Sequence, residues 1–438
     1  MCHLLATRAN KRIQLGDVME KVSNLTQAQT TGWMTKLYKK LVIGAFNSIN
    51  IGCITLKEGN QTEQFGDITS DLHATVTVND AAMYKSFALS GSVGAGEAYI
   101  LGYWDCDNLT KLIEIFALNQ EQLDAFEKKF AFLSGIAHRV NHIKNKNSAS
   151  GSKKNIAAHY DLGNDLYSAF LSDEMLYSCA VYPSKQASLE QAQAHKLALI
   201  CEQVDLQPGD SVIEIGTGWG AFAIYAATHF DCHVTTTTIS DEQHAYVEQK
   251  VKELNLEHKI TLLKQDYRLL EGKYDKLVSI EMIEAVGHEY LPGFFAKCQS
   301  LLKDSGAMLI QAITIADQRY SHYLKNSDFI QQYIFPGGCL PCLDEMNKQI
   351  KQQTDMVVHS VKDIGVHYAR TLADWRERFV ASWPEIDKVK FDQRFYRLWL
   401  FYLAYCEGAF RTRAISTVHL VARKPRFGHS GDDIALDY

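Results

Sequence analysis

Three glycines at alternate positions, Gly216, Gly218 and Gly220 in VIEIGTGWGAFAIYAA, are the strongest chemical signal in this sequence. A strand-like run ends at Glu214-Ile215 and a helix-like run starts near Gly220. The turn therefore falls where parallel sheets hold ligands, at a strand's carboxyl end. The spacing G-x-G-x-G is not the G-x-G-x-x-G of dinucleotide enzymes, which disfavours a nicotinamide dehydrogenase, and Trp219 would crowd a pyrophosphate. A cofactor without phosphates fits better, and S-adenosylmethionine is the obvious one. Gly216 and Gly218 would let it approach, while Glu214 or the nearby carbonyls would welcome its methionyl ammonium. The following strand, in TTTTISDEQ, lacks at its end the acidic residue that usually holds a ribose; Thr238 and Gln243 can still offer hydrogen bonds there. Thr235 to Thr237 need no role beyond β-propensity. After the third strand, KQDYRLL sets Asp266 and Tyr267 where an adenine would lie.

A second signal is an amide inside an apolar strand. In LIQAITI, Gln311 has the parity of Leu309, Ile313 and Ile315 and so shares their face, although Gln is rarely buried without partners. Cys339 and Cys342 form a lone C-x-x-C around a turn proline, with no second pair to complete a zinc site. No metal is expected.

These residues need a scaffold. From Asn155 onward, strand-like runs (SVIEIG, HVTTTTIS, KITLLKQD, KLVSIEM, AMLIQAITI) alternate with helix-like runs (AFAIYAATHF, DEQHAYVEQKVKEL, GFFAKCQSLLK). That order argues for an α/β, doubly wound parallel sheet. Residues 1–138 read as a separate, smaller unit. HATVTVND alternates like a strand, a glycine-rich aromatic stretch follows, and Leu109, Leu112, Ile113 and Phe116 share one face of a helix capped by Asp107 or Asn108. Between them, residues 139–154 form a basic, low-complexity linker, and 155–438 make up the larger domain. The stripe Phe391, Phe395, Trp399, Tyr402 and Cys406 follows helical spacing and reads either as core or as the lining of an acyl tunnel.

Composition narrows the class. The 438 residues are 46% hydrophobic and 22% charged, with a net charge of −6. Those values suit a globular protein and give no general attraction for nucleic acid. No apolar run reaches the roughly 18 residues of a membrane span, and no signal peptide is evident at the N-terminus. The ten cysteines are scattered in apolar segments, which suits a reducing cytoplasm. GWMTKLYKKLVIGAF sets Lys36, Lys39 and Lys40 beside Trp33, Leu37 and Leu41, which reads equally as an interfacial membrane helix or as a basic surface helix.

AHYDLGNDLYSAFLSDEMLYSCAVY, EIGTGWG, SIEMIEAVGHEYLPGFF, FIQQYIFPGG, ARTLADWRERF and FYLAYCEGAFRTRAISTVHLV resemble, in order, the cyclopropane-fatty-acyl-phospholipid synthase family, whose relatives modify mycolic acids. The resemblance implies a Rossmann-like class I methyltransferase domain with a smaller N-terminal α+β domain that engages lipid. It implies S-adenosylmethionine-dependent transfer of one carbon to the cis double bond of acyl chains in membrane phospholipids. It also implies a cytoplasmic, peripherally membrane-bound homodimer and a bound bicarbonate as base. By the same resemblance, Tyr177 and Ser178 go to the cofactor. Cys179 (through its amide), Glu284, Tyr368, Cys406 and the Ile313 N–H go to the bicarbonate site. Gln311 stands where the family has a histidine that helps hold bicarbonate, and Ala285 where a histidine is common. An amide can donate to an anion but carries no proton charge, so a methylene- or methyl-branched product is the alternative to the ring. An inactive lipid carrier and a small-molecule N- or O-methyltransferase are the other readings; the second would not need the YSC, EAVG and YCEGAF words together.

Overall fold

The computed structural model describes residues 32–125, 162–430 and 433–434, so the expected linker 139–154 lies outside the described residues. The chain forms two compact units. The first comprises residues 1–145, 325–336 and 372–414, and the second residues 146–324, 337–371 and 415–438.

Along the chain, the first unit supplies helix α1 (Gly32–Phe46), strands β1 (Cys53–Glu58), β2 (Gln61–Gly66) and β3 (His73–Val78), helix α2 (Ala82–Ile100), strand β4 (Trp104–Cys106) and helix α3 (Leu109–Leu118). The second continues with α4 (Leu189–Gln203), β5 (Ser211–Ile215), α5 (Ala221–His229), β6 (His233–Thr238), α6 (Asp241–Glu253), β7 (Ile260–Lys264), β8 (Tyr274–Ile280), α7 (Leu291–Leu301), β9 (Leu302–Ile315), α8 (Leu343–Gln353) and β10 (Val357–Asp363). Helix α9 (Gly365–Ser382) begins in the second unit, helix α10 (Gln393–Arg411) belongs to the first, and β11 (Ile415–Arg423) returns to the second.

In the first unit a sheet of order β2-β1-β3-β4 accompanies helix α10, which packs on both α2 and α3, and α1, which packs on α2. Asn108 is the cap of α3, its side chain accepting from the Lys111 amide at 3.0 Å. The glycine-rich aromatic stretch before β4 is helical after a break at Gly91. Its glycines serve close approach: a Cβ on Gly96 would fall 2.5 Å from the Phe329 ring. Residues 325–336 and 372–414, expected in the larger domain, thus group with the first unit. Side-chain anchors explain why. Buried Glu407 accepts from Thr110 (3.1 Å), Arg376 (2.9 Å) and Arg411 (2.9 Å), and Arg397 donates to the Trp104 carbonyl at 2.7 Å.

The second unit holds a seven-stranded sheet of order β10-β11-β9-β8-β5-β6-β7. Strands β5 to β9 pair in parallel, while β11 runs antiparallel to β9 and to β10. Alternation along the strands divides the core in two. Ile213, Met308, Ile310 and Leu420 face a cluster with α7 and α8. Val212, Leu309 and Val421 face another with α4, α5 and α6. A strand buried on both sides must be apolar at both parities, so a buried amide at position 311 demands a specific partner. Strand order reverses at β5/β8, the switch point where such sheets bind ligands. No helix among the described residues is long and apolar enough to cross a membrane.

Candidate active site

The turn after β5 takes positive φ at Gly216 (101°), Gly218 (55°) and Gly220 (87°), a region glycine enters without steric penalty. A Cβ on Gly218 would meet nothing within 4 Å, whereas one on Gly216 would touch Met282 at 3.1 Å. The glycine turn is therefore open on one side and closed on the other by the segment that follows β8. Aromatic rings stand beside it: Tyr167 lies 5.0 Å from Trp219 and 5.3 Å from Tyr177 between ring centroids. The Trp219 indole N–H donates to Asn164 at 3.1 Å.

Glu214 is buried and accepts from Thr236 at 2.6 Å; burial pushes its carboxyl up to about 8. The Thr238 hydroxyl donates to Gln243 at 2.8 Å, so these two predicted contacts hold each other at the end of β6. Asp266 is engaged by Arg268 and Tyr267 is half-buried, both at the end of β7. Ser178 is tied to a residue that sequence reasoning missed. Lys196, fully buried on α4, donates to its hydroxyl at 2.7 Å, and burial pulls that amine down to about 8.

The central residue was also missed. Glu281, the first residue after β8, is the point on which the predicted cradle converges. Its Oε1 accepts from the Cys179 amide at 2.8 Å and from Gln311 Nε2 at 2.7 Å, and its Oε2 accepts from the Tyr368 hydroxyl at 2.7 Å. Its own amide donates to the Gln311 carbonyl at 2.8 Å. With φ at 48° the residue sits in the left-handed region, which costs a non-glycine residue on the order of 1–3 kcal/mol and persists where surrounding bonds over-determine it. Burial pushes its carboxyl above the usual range, while these three donors and the Lys196 charge pull against that.

Gln311 is fully buried and its amide bridges two strands. On β11, His419 Nε2 lies 2.9 Å from Gln311 Oε1, and Nδ1 lies 2.7 Å from the Gln203 side-chain oxygen. Burial, aided by the Lys196 and Lys362 charges, takes this imidazole down to about 3. It is therefore neutral and can donate from only one nitrogen. Since Gln311 commits its nitrogen to Glu281, His419 Nε2–H donates to its oxygen, and Gln203 must turn its own nitrogen toward Nδ1.

Glu284, the predicted acid of the cradle, sits one turn beyond and does something else. Its Oε1 takes the Ile313 amide at 2.5 Å, and its Oε2 is buried without a hydrogen-bond partner among the described residues. Burial, then the neighbouring Glu281 charge, pushes it up to about 8, so it is mainly protonated at neutral pH. Cys406 lies in the first unit on α10, its thiol pushed up by burial; Tyr402, Trp399 and Phe395 of the same stripe are buried against one another. A signal for Glu281 was present in the sequence: an acidic residue directly after a parallel strand at the reversal of strand order. Nothing local separates it from Glu284 in SIEMIE.

A family model described as mycolic acid cyclopropane synthetase matches residues 147–420. The chain is 36% identical over 358 residues to the cyclopropane-fatty-acyl-phospholipid synthase of Escherichia coli strain K12, covering 81% of this chain and 89% of that one. It is 35% identical over 338 residues to the tuberculostearic acid methyltransferase UfaA1 of Mycobacterium tuberculosis, covering 76% and 78%. Among solved structures it is similar to mycolic acid cyclopropane synthase CmaA1 complexed with SAH and CTAB, with a TM-score of 0.58 and 29% identity over 62% of this chain and 98% of that one. On the family match and the extent of these identities, the chain belongs to the mycolic acid cyclopropane synthetase family of S-adenosylmethionine-dependent methyltransferases.

Proposed function

We propose that this protein transfers a one-carbon unit from S-adenosylmethionine to the cis double bond of unsaturated acyl chains in membrane phospholipids and closes a cyclopropane ring. The observation that carries the reading is the convergence of Glu281, Gln311, Tyr368 and the Cys179 amide beside the glycine turn. A carboxylate braced by donors beside a cofactor loop is what removal of a proton from an alkylated chain requires.

The residues present fit the cofactor. Open space over Gly218 gives backbone access, and Glu214 is a carboxylate for an ammonium. Thr238 and Gln243, paired at the end of β6, would turn hydroxyl and amide toward a ribose, and Asp266 and Tyr267 would flank an adenine at the end of β7. Bound there, S-adenosylmethionine supplies an electrophilic methyl group. Around it, Tyr177, half-buried against Tyr167 and Phe170, would offer an aromatic ring to positive charge. On α1, Trp33 and Leu37 are 69% and 41% exposed, with Lys36 and Lys40 exposed beside them. Lys39 is held by Glu58. We propose α1 as the membrane-facing element; pelleting with anionic vesicles tests it, and binding unchanged after neutralising Lys36 and Lys40 counts against it.

A methylene- or methyl-branched product is the second reading, favoured by the uncharged amide at Gln311 and by a relative named for methyl transfer. Proton NMR of lipids from a host expressing the chain decides between them. Ring methylene signals support the proposal, and vinylidene signals alone refute it. Repeating the experiment with Gln311→His tests whether the amide governs the product ratio.

A further inference from the structure

Resemblance to cyclopropane synthases implies a bicarbonate ion in a cradle of the Cys179 amide, Glu284, the Ile313 amide, the Tyr368 hydroxyl, Cys406 and residue 311. In this chain the two backbone amides, the Tyr368 hydroxyl and the Gln311 amide are each already engaged by a side-chain carboxyl group. Glu281 takes three of them, at 2.8, 2.7 and 2.7 Å, and Glu284 takes the Ile313 amide at 2.5 Å. A bicarbonate entering here would find these donors occupied and would face the Glu281 carboxylate at close range. The site does not fit the ion. The backbone adds an independent observation: Glu281 holds a left-handed φ of 48° that glycine would adopt freely, and its carboxylate is the group that gains from the conformation.

We propose that this protein works without bicarbonate, with the Glu281 carboxylate as the built-in proton acceptor. The inference rests on the function proposed above. As the acyl double bond is alkylated, its π pair forms the new C–C bond and the pair of the broken C–S bond stays on sulfur. The C–H pair of the added methyl then bonds to the cationic carbon and closes the ring, and its proton passes to Glu281. Among the described residues Oε1 accepts two hydrogen bonds and Oε2 only that of Tyr368, so Oε2 keeps a lone pair for the proton. The proton leaves to solvent before the next turnover, and the carboxylate is regenerated.

The test uses the full-length protein, carbon-dioxide-depleted buffer with and without added bicarbonate, and two readouts. One is transfer of label from the S-adenosylmethionine methyl group to vesicles of cis-unsaturated phospholipid. The other, independent of activity, is binding of 13C-bicarbonate followed by carbon NMR. Wild type should transfer label at the same rate in both buffers and leave the bicarbonate line unbroadened. Glu281→Gly, which keeps the backbone conformation and frees the donors, should lose on the order of 10²-fold or more in depleted buffer. It should recover at least about tenfold on adding bicarbonate, and should broaden the 13C line. Glu281→Gln, whose amide still fills the space, should be slow in both buffers. Cofactor binding by calorimetry should be retained in all three. Wild-type activity that depends on bicarbonate, wild-type broadening of the 13C line, or a Glu281→Gly variant fully active in depleted buffer would each overturn the inference. If wild type labels no lipid in either buffer, the proposed function fails, and the NMR readout still decides whether Glu281 excludes the ion.

Discussion

Tyr368→Phe removes one oxygen and leaves the ring. That oxygen donates to Glu281 Oε2 at 2.7 Å, and a hydrogen bond to a buried charge contributes about 1.5–3 kcal/mol. The charged carboxylate loses that stabilisation and the protonated form loses much less. At about 1.4 kcal/mol per pKa unit, the Glu281 carboxyl should therefore rise by ~1–2 units. Burial already holds it above its ordinary value, so the variant pushes further the same way. The base works only when deprotonated, so activity climbs with pH through its pKa. The acid limb of the rate profile should move to higher pH by ~1–2 units, with a loss of roughly 10- to 100-fold on that limb and recovery at high pH. The assay is the initial rate of label transfer to cis-unsaturated phospholipid vesicles across a pH series, with cofactor affinity measured separately. A uniform loss at all pH values, or an unshifted limb, would refute the claim that Tyr368 acts through Glu281.

Three further outcomes follow from the same geometry. Glu284 is raised to about 8 by burial and by the Glu281 charge, well above its unfolded value. Its contribution to stability is thus fully present below the unfolded pKa and is lost as pH rises through about 8, at up to ~1.4 kcal/mol per pH unit; denaturant midpoints measured from pH 5 to 9 should fall less steeply in Glu284→Gln, and an unaltered slope would be inconsistent with this burial. Because Glu214 is also pushed up to about 8 and an ammonium favours its charged form, cofactor affinity by calorimetry should rise up to about tenfold per pH unit until about pH 8, and Glu214→Gln should be weaker and flat. In the first unit, Gly96→Ala would drive a methyl into the Phe329 ring, 2.5 Å away, and should cost about 1–3 kcal/mol in chemical denaturation; an unchanged midpoint would contradict the packing of residues 325–336 on α2.

The elements of the larger unit were legible because their signals are local. Apolar runs of strand length separated by amphipathic helices require a parallel sheet buried on both faces, and three alternate glycines after Glu214 require a turn with positive φ. The Asn108 cap is local in the same sense, its side chain reaching only to Lys111. Even the anomaly of Gln311 was visible as an amide at a core parity. Grouping the segments into units was not legible, because residues 372–414 join the first unit through contacts such as Glu407 with Thr110, 297 positions apart.

The site itself divides along the same line. The sequence determined that a carboxylate, a tyrosine, an amide and a backbone N–H were available, and that a cofactor turn lay at the end of β5. Only the tertiary structure decided that the carboxylate at the centre is Glu281 and not Glu284, three residues on. Glu281 is joined to Cys179, Gln311 and Tyr368 across 102, 30 and 87 residues of chain. Hydrogen bonds of under 3 Å depend on where four chain segments end in space, and no spacing within one segment encodes that.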